Sequence, residues 1–309
     1  MSSELSLSLE HSVPIINVAA YKFFRWDRLE KRRDELKSLC YRLQLRGTIL
    51  LSGEGINLFL AGSRESVDGV LNFLQEIPEV GALQVKESVT DYQPFNRMLV
   101  KLKREIIPVG MEGIEPVESA SPKMSPQELK RWLDEGRPVS LLDTRNDYEV
   151  ELGTFENAID LRLKTFRQFP TAAMDLPQEI RENPVVMFCT GGIRCEKIGP
   201  YMKGLGFNEI YQLEGGILKY FEECDHAHFR GDCFVFDQRV SVNSRLAECD
   251  HSECFACKHV LLPDDLLSEK FVAAKSCPYC FQTPEEEQKA LILKRQKEIH
   301  RIASLQKGC

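Results

Sequence analysis

With 309 residues and 43% hydrophobic content, the chain can bury the cores of two or three domains, since a domain commonly takes roughly 100–200 residues. A net charge of −7 excludes a uniformly basic coat for nucleic acid but leaves room for a local basic patch. No segment approaches the roughly 20 apolar residues of a membrane helix, and Met1–Glu10 lacks the basic flank and apolar core of a secretory signal, so a cytoplasmic protein without a membrane partner is expected. Of 11 cysteines, 6 fall from Cys249 onward, which without such a signal points to metal binding or thiol chemistry rather than disulfides.

Pro14–Phe24 reads as a first strand, and a helix follows over 27–43 with Asp27 as its cap. Gly47–Ser52 and Ile56–Leu60 flank Gly53-Glu54-Gly55 as a hairpin. Ser63 or Ser66 caps a second helix carrying Val67, Val70, Leu71 and Leu74, and strands resume at Leu83–Glu87 and Met98–Ile107. This βαββαβ order predicts a ferredoxin-like α+β domain, of acylphosphatase-like type, over residues 13–108. Arg97, Lys101 and Lys103 share parity on its last strand and project to one face. Such a face suits a phosphate backbone, and equally a solubilising sheet edge.

Residues 109–124 are rich in Pro, Gly, Ser and Glu without periodicity and read as a linker. Ser125-Pro126-Gln127-Glu128 then opens a helix, with a serine cap, proline at the first position and an acid in the first turn. Val139–Asp143, Pro184–Phe188 and Glu209–Leu213 are short strands alternating with helices. They predict a doubly wound parallel sheet over 125–223, with its ligand site at the carboxyl ends of the strands.

Cys189 falls at such an end. The buried run Val185–Phe188 leads into it, Gly191 and Gly192 allow a tight turn, and a helix starts near Arg194. Backbone N–H groups, the positive end of the helix dipole and the Arg194 charge all favour a thiolate there. A lone cysteine after a strand could instead be structural, but the glycines and the arginine favour a nucleophilic or sulfur-carrying role. Gly191 and Gly192 are the candidate loop contacts to a substrate.

Gly231–Val240 reads as a further strand within a cysteine-rich region over 224–309. There Cys254-x-x-Cys257 and Cys277-x-x-Cys280, separated by 19 residues, match a four-cysteine structural zinc site, with Cys249 and His251 as alternative ligands. Reduced cysteines in a small apolar cluster are the other reading. Pro284–Gln306 predicts a charged helix with a narrow apolar stripe and a basic second half.

Asp143-Thr144-Arg145, the run Glu149–Leu161, Cys189–Arg194 and Leu213–Ile217 resemble the successive motifs of a rhodanese domain, in which the loop cysteine carries sulfane sulfur as a persulfide. Four residues separate Cys189 from Arg194; the related phosphatases carry one more, so sulfur chemistry or direct cysteine attack suits this loop better. Gly153-Thr154-Phe155 departs from the usual Gly-His-Ile of the family. The chain as a whole, with Glu54-Gly55-Ile56-Asn57 matching a signature, resembles the bacterial TrhO family over about residues 13–285.

That resemblance implies an oxidoreductase acting on tRNA, with oxygen-dependent hydroxylation of C5 of the wobble uridine and molecular oxygen as co-substrate. Cys189 and Arg194 are then expected to be catalytic, with Cys195 as a resolving thiol or a packed small residue. No flavin or nicotinamide glycine fingerprint is seen. The alternative is a sulfurtransferase that passes persulfide sulfur from Cys189 to an acceptor.

Overall fold

The structure, a computed structural model, describes residues 14–286 other than residue 112, together with residues 288, 289, 292, 295 and 296. Met1–Glu10 and most of the helix expected over Pro284–Gln306 lie outside the described residues. The chain divides into two compact units, Met1–Cys249 and Asp250–Cys309. Among the described residues no helix is long and apolar enough to cross a membrane.

The first unit begins with β1 (Ile15–Phe23), α1 (Leu29–Arg42), β2 (Arg46–Ser52), β3 (Gly55–Gly62), α2 (Arg64–Gln75), β4 (Val85–Thr90) and β5 (Met98–Leu102). Their sheet runs β4-β1-β3-β2-β5, the ferredoxin-like order with β5 added in parallel to the β2 edge. Strand alternation sends Ile16, Val18, Ala20, Ile49, Leu58 and Leu60 toward the helices, where Leu36, Leu39, Val67, Val70 and Leu74 complete the core.

Ser63 caps α2, accepting from the Ser66 amide at 3.2 Å. Asp27 does not cap α1: Phe24 and Trp26 are held by backbone bonds to Glu54 and Gly53, so the chain reverses only at Arg28, in the left-handed region (φ 54). The fifth strand also stops earlier than expected. Lys103 N donates to Leu51 O at 2.8 Å near the end of β2, after which Ile106 N turns to the Glu54 carboxylate.

Within the segment read as a linker lie α3 (Pro116–Ser119) and β6 (Lys123–Met124). There follow α4 (Pro126–Asp134), β7 (Ser140–Asp143), α5 (Asp147–Val150), β8 (Gly153–Phe155), β9 (Ile159–Asp160), α6 (Phe169–Met174), β10 (Val185–Phe188), α7 (Ile193–Gly204), β11 (Ile210–Leu213) and α8 (Gly216–Cys224). Ser125 caps α4 by accepting from Glu128 N at 3.2 Å, with Pro126 in the first turn. The sheet β6-β11-β10-β7-β9 is parallel in every pairing, and its central β10 is wholly buried.

The run Gly231–Val240 is not one strand. β12 (Phe229–Gly231) pairs with β8, while β13 (Cys233–Phe234) pairs with β14 (Ser241–Val242). The chain changes partner at Asp232, directly after Gly231 at φ 81. Phe155 locks this region by meeting Phe188, Tyr220 and Phe229 edge-on at 4.9, 4.7 and 5.2 Å.

The second unit contains the short pair β15 (Ser252–Glu253) and β16 (Val260–Leu261), a 3₁₀ turn at Pro263–Leu267, and a small cluster of Cys254, Leu261 and Cys277.

Candidate active site

β10 delivers Cys189 to the C-terminal edge of the parallel sheet, and Gly192 (φ 100) turns the chain into α7. That turn points the Gly192 N–H at the Cys189 sulfur, 3.1 Å away. A side chain at position 192 would be strained by the positive φ, and its Cβ would come within 3.0 Å of the Tyr21 hydroxyl. From behind, Ile217 N and Leu218 N donate to the carbonyls of Cys189 and Thr190 at 2.9 and 3.1 Å. Gly216 permits this approach, because a Cβ there would lie 2.4 Å from Cys189 O. The motif Leu213–Ile217 thus braces the cysteine loop.

Arg194 is buried, and its guanidinium grips Glu149 through two bonds, Nη1–Oε2 at 2.6 Å and Nη2–Oε1 at 2.7 Å. Its hydrogen-bonding edge therefore faces a carboxylate, and it acts on the sulfur through its field and its own backbone N–H. A second buried pair lies alongside: Arg145 chelates Asp143, which also accepts from Thr154 Oγ1 at 2.8 Å. Thr154, the departure from Gly-His-Ile, is a hydrogen-bond donor in that network.

Burial pushes the Cys189 thiol up. The hydrogen bond from Cys195, the Arg194 charge and the N–H groups of Arg194 and Gly192 outweigh it and bring the thiol down to about 5. Cys195 moves the opposite way: burial, its bond to Cys189 and the Cys189 charge keep it protonated. The pair is thus a thiolate with a thiol donor beside it. Thr144 Oγ1 lies 3.5 Å from the Cys195 sulfur and donates to Phe188 O at 3.0 Å.

Cys189 is itself 0% exposed, yet it is among the residues that line a cleft of about 700 Å³, within the range of small-molecule sites. The opposite wall is the helix-free face of the N-terminal sheet, contributing Ala19, Tyr21, Leu50, Asn57 and Phe59. Tyr21 donates to Glu196 Oε2 at 3.0 Å, and burial followed by the Glu196 and Cys189 charges holds its phenol well above the usual range. The site is therefore composite.

Among the residues expected to bind substrate, Gly191 lines the cleft and has open space where its side chain would be. Gly192 is occupied with the sulfur. Arg97, Lys101 and Lys103 are exposed. Lys101 pairs in register with cleft-lining Leu50 across a parallel ladder, which puts it on the same sheet face, one strand outward.

Sequence reasoning missed Glu149 and Tyr21 as site residues. Glu149 lay at the start of a recognised motif, the run Glu149–Leu161. Tyr21 carried no signal, because its role depends on a contact with a residue 175 positions away.

In the second unit the sulfurs of Cys254, Cys257, Cys277 and Cys280 lie within 4.8 Å of one another, with close pairs at 3.6, 3.7 and 3.8 Å. Thiolates about 2.3 Å from a tetrahedral zinc stand about 3.8 Å apart, so this set can hold a metal.

A low-pKa cysteine in a rhodanese-type loop, facing the open sheet of a ferredoxin-like domain, defines a two-domain thiol protein of the rhodanese fold. Residues 15–106 match the family described as UPF0176 acylphosphatase like domain, and residues 125–223 match the rhodanese-like domain. A protein of Cupriavidus necator named tRNA uridine(34) hydroxylase is 47% identical over 277 residues, 88% of this chain and 98% of that one. Proteins of the same name from Cupriavidus pinatubonensis and Burkholderia vietnamiensis are each 48% identical, covering 86% and 87% of this chain and 96% and 98% of theirs. The chain belongs to the tRNA uridine(34) hydroxylase (TrhO) family.

Proposed function

We propose that this chain hydroxylates C5 of uridine 34 of tRNA with molecular oxygen, and that Cys189 activates the base. The observation that carries this reading is the Cys189 thiolate in the lining of a cleft large enough to admit a nucleobase, in a family whose named members act on that uridine. The thiolate adds to C6, forming a C–S bond and moving electron density onto C5 and O4. C5 then takes an oxygen atom, and loss of the C5 proton with expulsion of the thiolate restores the double bond. The Arg194 field and the loop N–H groups stabilise the charge that develops.

Incorporating one oxygen atom and reducing the other to water requires two electrons and two protons. Cys189 and Cys195, hydrogen-bonded to each other, can supply the two electrons, Cys195 gives one proton, and solvent gives the other. The balance is uridine, dioxygen, the Cys189 thiolate, the Cys195 thiol and a solvent proton giving 5-hydroxyuridine, water and a disulfide, which an external thiol then reduces. The exposed Arg97, Lys101 and Lys103 support a contact to tRNA phosphates beside the cleft. The four-cysteine set supports a closed, structural zinc, whose ligands leave no position open for chemistry.

Mass spectrometry of tRNA incubated with the full chain, oxygen and a thiol tests this. One oxygen atom gained at uridine 34 is expected, and it should be lost in Cys189→Ser. Full hydroxylation by Cys189→Ser refutes the nucleophile. Single-turnover product without added thiol in Cys195→Ala removes Cys195 from the redox pair. Unmodified tRNA together with vigorous thiocyanate formation from thiosulfate and cyanide turns the reading to a sulfurtransferase.

A further inference from the structure

The run Gly231–Val240 lies outside both matched domains, which end at residues 106 and 223, yet it reaches the cleft. Its Phe236 lines the cleft with Cys189 and Arg194 and is 44% exposed, a large apolar exposure for a ring in an otherwise packed region. The other aromatic residues of the cleft are buried or half-buried: Tyr21, Phe23, Phe59 and Phe166.

Phe236 is also held in place. Phe234 meets it edge-on at 5.2 Å, Phe59 lies at 6.1 Å, and the Arg194 guanidinium carbon sits 5.7 Å from its centre. The backbone on both sides of it is pinned. Val235 N donates to Val240 O at 2.9 Å, and Gln238 N to Pro94 O at 3.3 Å. Buried Arg239 chelates Asp237 and donates to Ser88 Oγ at 2.6 Å. A rigid aromatic ring with free surface, beside a reactive sulfur, is the arrangement that receives a planar base at little ordering cost.

From this we infer that Phe236 is the platform on which the target pyrimidine stacks when it enters the cleft. The inference rests on the reading that the substrate is a nucleobase, and it explains why the chain continues past the rhodanese-like domain to wrap back over the site. The ring contributes through its π face, so an aliphatic residue of similar bulk cannot replace it.

Phe236→Leu, Phe236→Tyr and wild type are compared on tRNA, with the Cys189 alkylation rate as a check that each loop is intact. Base–aromatic stacking makes the expected loss in kcat/KM for the leucine variant about tenfold or more, carried mainly by KM, with the tyrosine variant near wild type. A leucine variant with wild-type kcat/KM overturns the proposal. Independently, wild-type protein is irradiated with an anticodon stem-loop RNA bearing 5-iodouridine at position 34. An adduct mapped to Phe236 supports the platform; an adduct on another residue, or none from bound RNA, overturns it. An adduct at Phe236 in a chain that leaves tRNA unhydroxylated keeps the platform and removes the hydroxylase reading. Hydroxylation with the adduct elsewhere does the reverse.

Discussion

Lys197 of α7 is buried against Glu54 of the N-terminal hairpin, with Glu105 at 3.5 Å. The same Glu54 accepts from Ile106 N at 2.8 Å, and Asn57 donates to Ile106 O at 3.3 Å. The Glu54–Asn57 signature is thus the fastening that ties the helix after the cysteine loop to the N-terminal sheet.

Removing the Glu54 charge should loosen that fastening. Glu54→Gln is expected to lower stability by about 2–3 kcal/mol, less than for a wholly buried pair, since Glu105 remains and Glu54 is partly exposed. Denaturant melts of the two proteins read this directly, and coincident curves would contradict it.

Cys189 alkylation should report a depressed pKa. The iodoacetamide rate is expected to rise as pH climbs through about 5 and to be level well before the range of about 8.5 where a free thiol titrates. A depressed thiol contributes fully to stability above its unfolded value and loses that contribution as pH falls through about 5. Because Cys189 is 0% exposed, a bulky maleimide should lag behind iodoacetamide.

Arg194 and Glu149 should move that profile in opposite directions. Arg194→Met removes a positive charge from beside the sulfur and shifts the inflection up. Glu149→Gln leaves the arginine charge unbalanced and shifts it down, while costing about 3–5 kcal/mol of stability for the stranded buried charge. A common shift in both variants would refute this electrostatic account.

Metal analysis of the purified chain should find one zinc per molecule, falling toward zero in Cys254→Ser. Chelation should raise hydrogen exchange across residues 252–261, where β15 and β16 flank the first knuckle. Unchanged exchange after the metal is removed would rule out a structural role.

Charge reversal at Lys101 and Lys103 should weaken tRNA binding and flatten its salt dependence, with little preference among tRNA sequences. Equal affinity and equal salt slope in the reversed variant would place the RNA elsewhere.

How far these features could be read in advance depends on their range along the chain. The cysteine at a strand end, the glycine turn and the helix start are neighbours in sequence, so their geometry was legible, as were the two CxxC knuckles. Asp27 misled because a cap is decided by where the chain reverses, and backbone bonds to Gly53 and Glu54 delayed that reversal. Gly231–Val240 misled because the ladder changes partner after Gly231 and the chain beyond Phe234 closes a turn, Val235 N donating to Val240 O.

Local order along the chain was enough to specify a cysteine between a strand end and a glycine turn, the helix that follows it, and a cysteine set suited to metal. Only folding decided what surrounds that sulfur: Glu149 on its arginine, Tyr21 and the bare sheet opposite, and Phe236 in the same cleft. Those contacts join residues far apart in the chain, and no residue's type or spacing encodes which distant partner packing will bring to it.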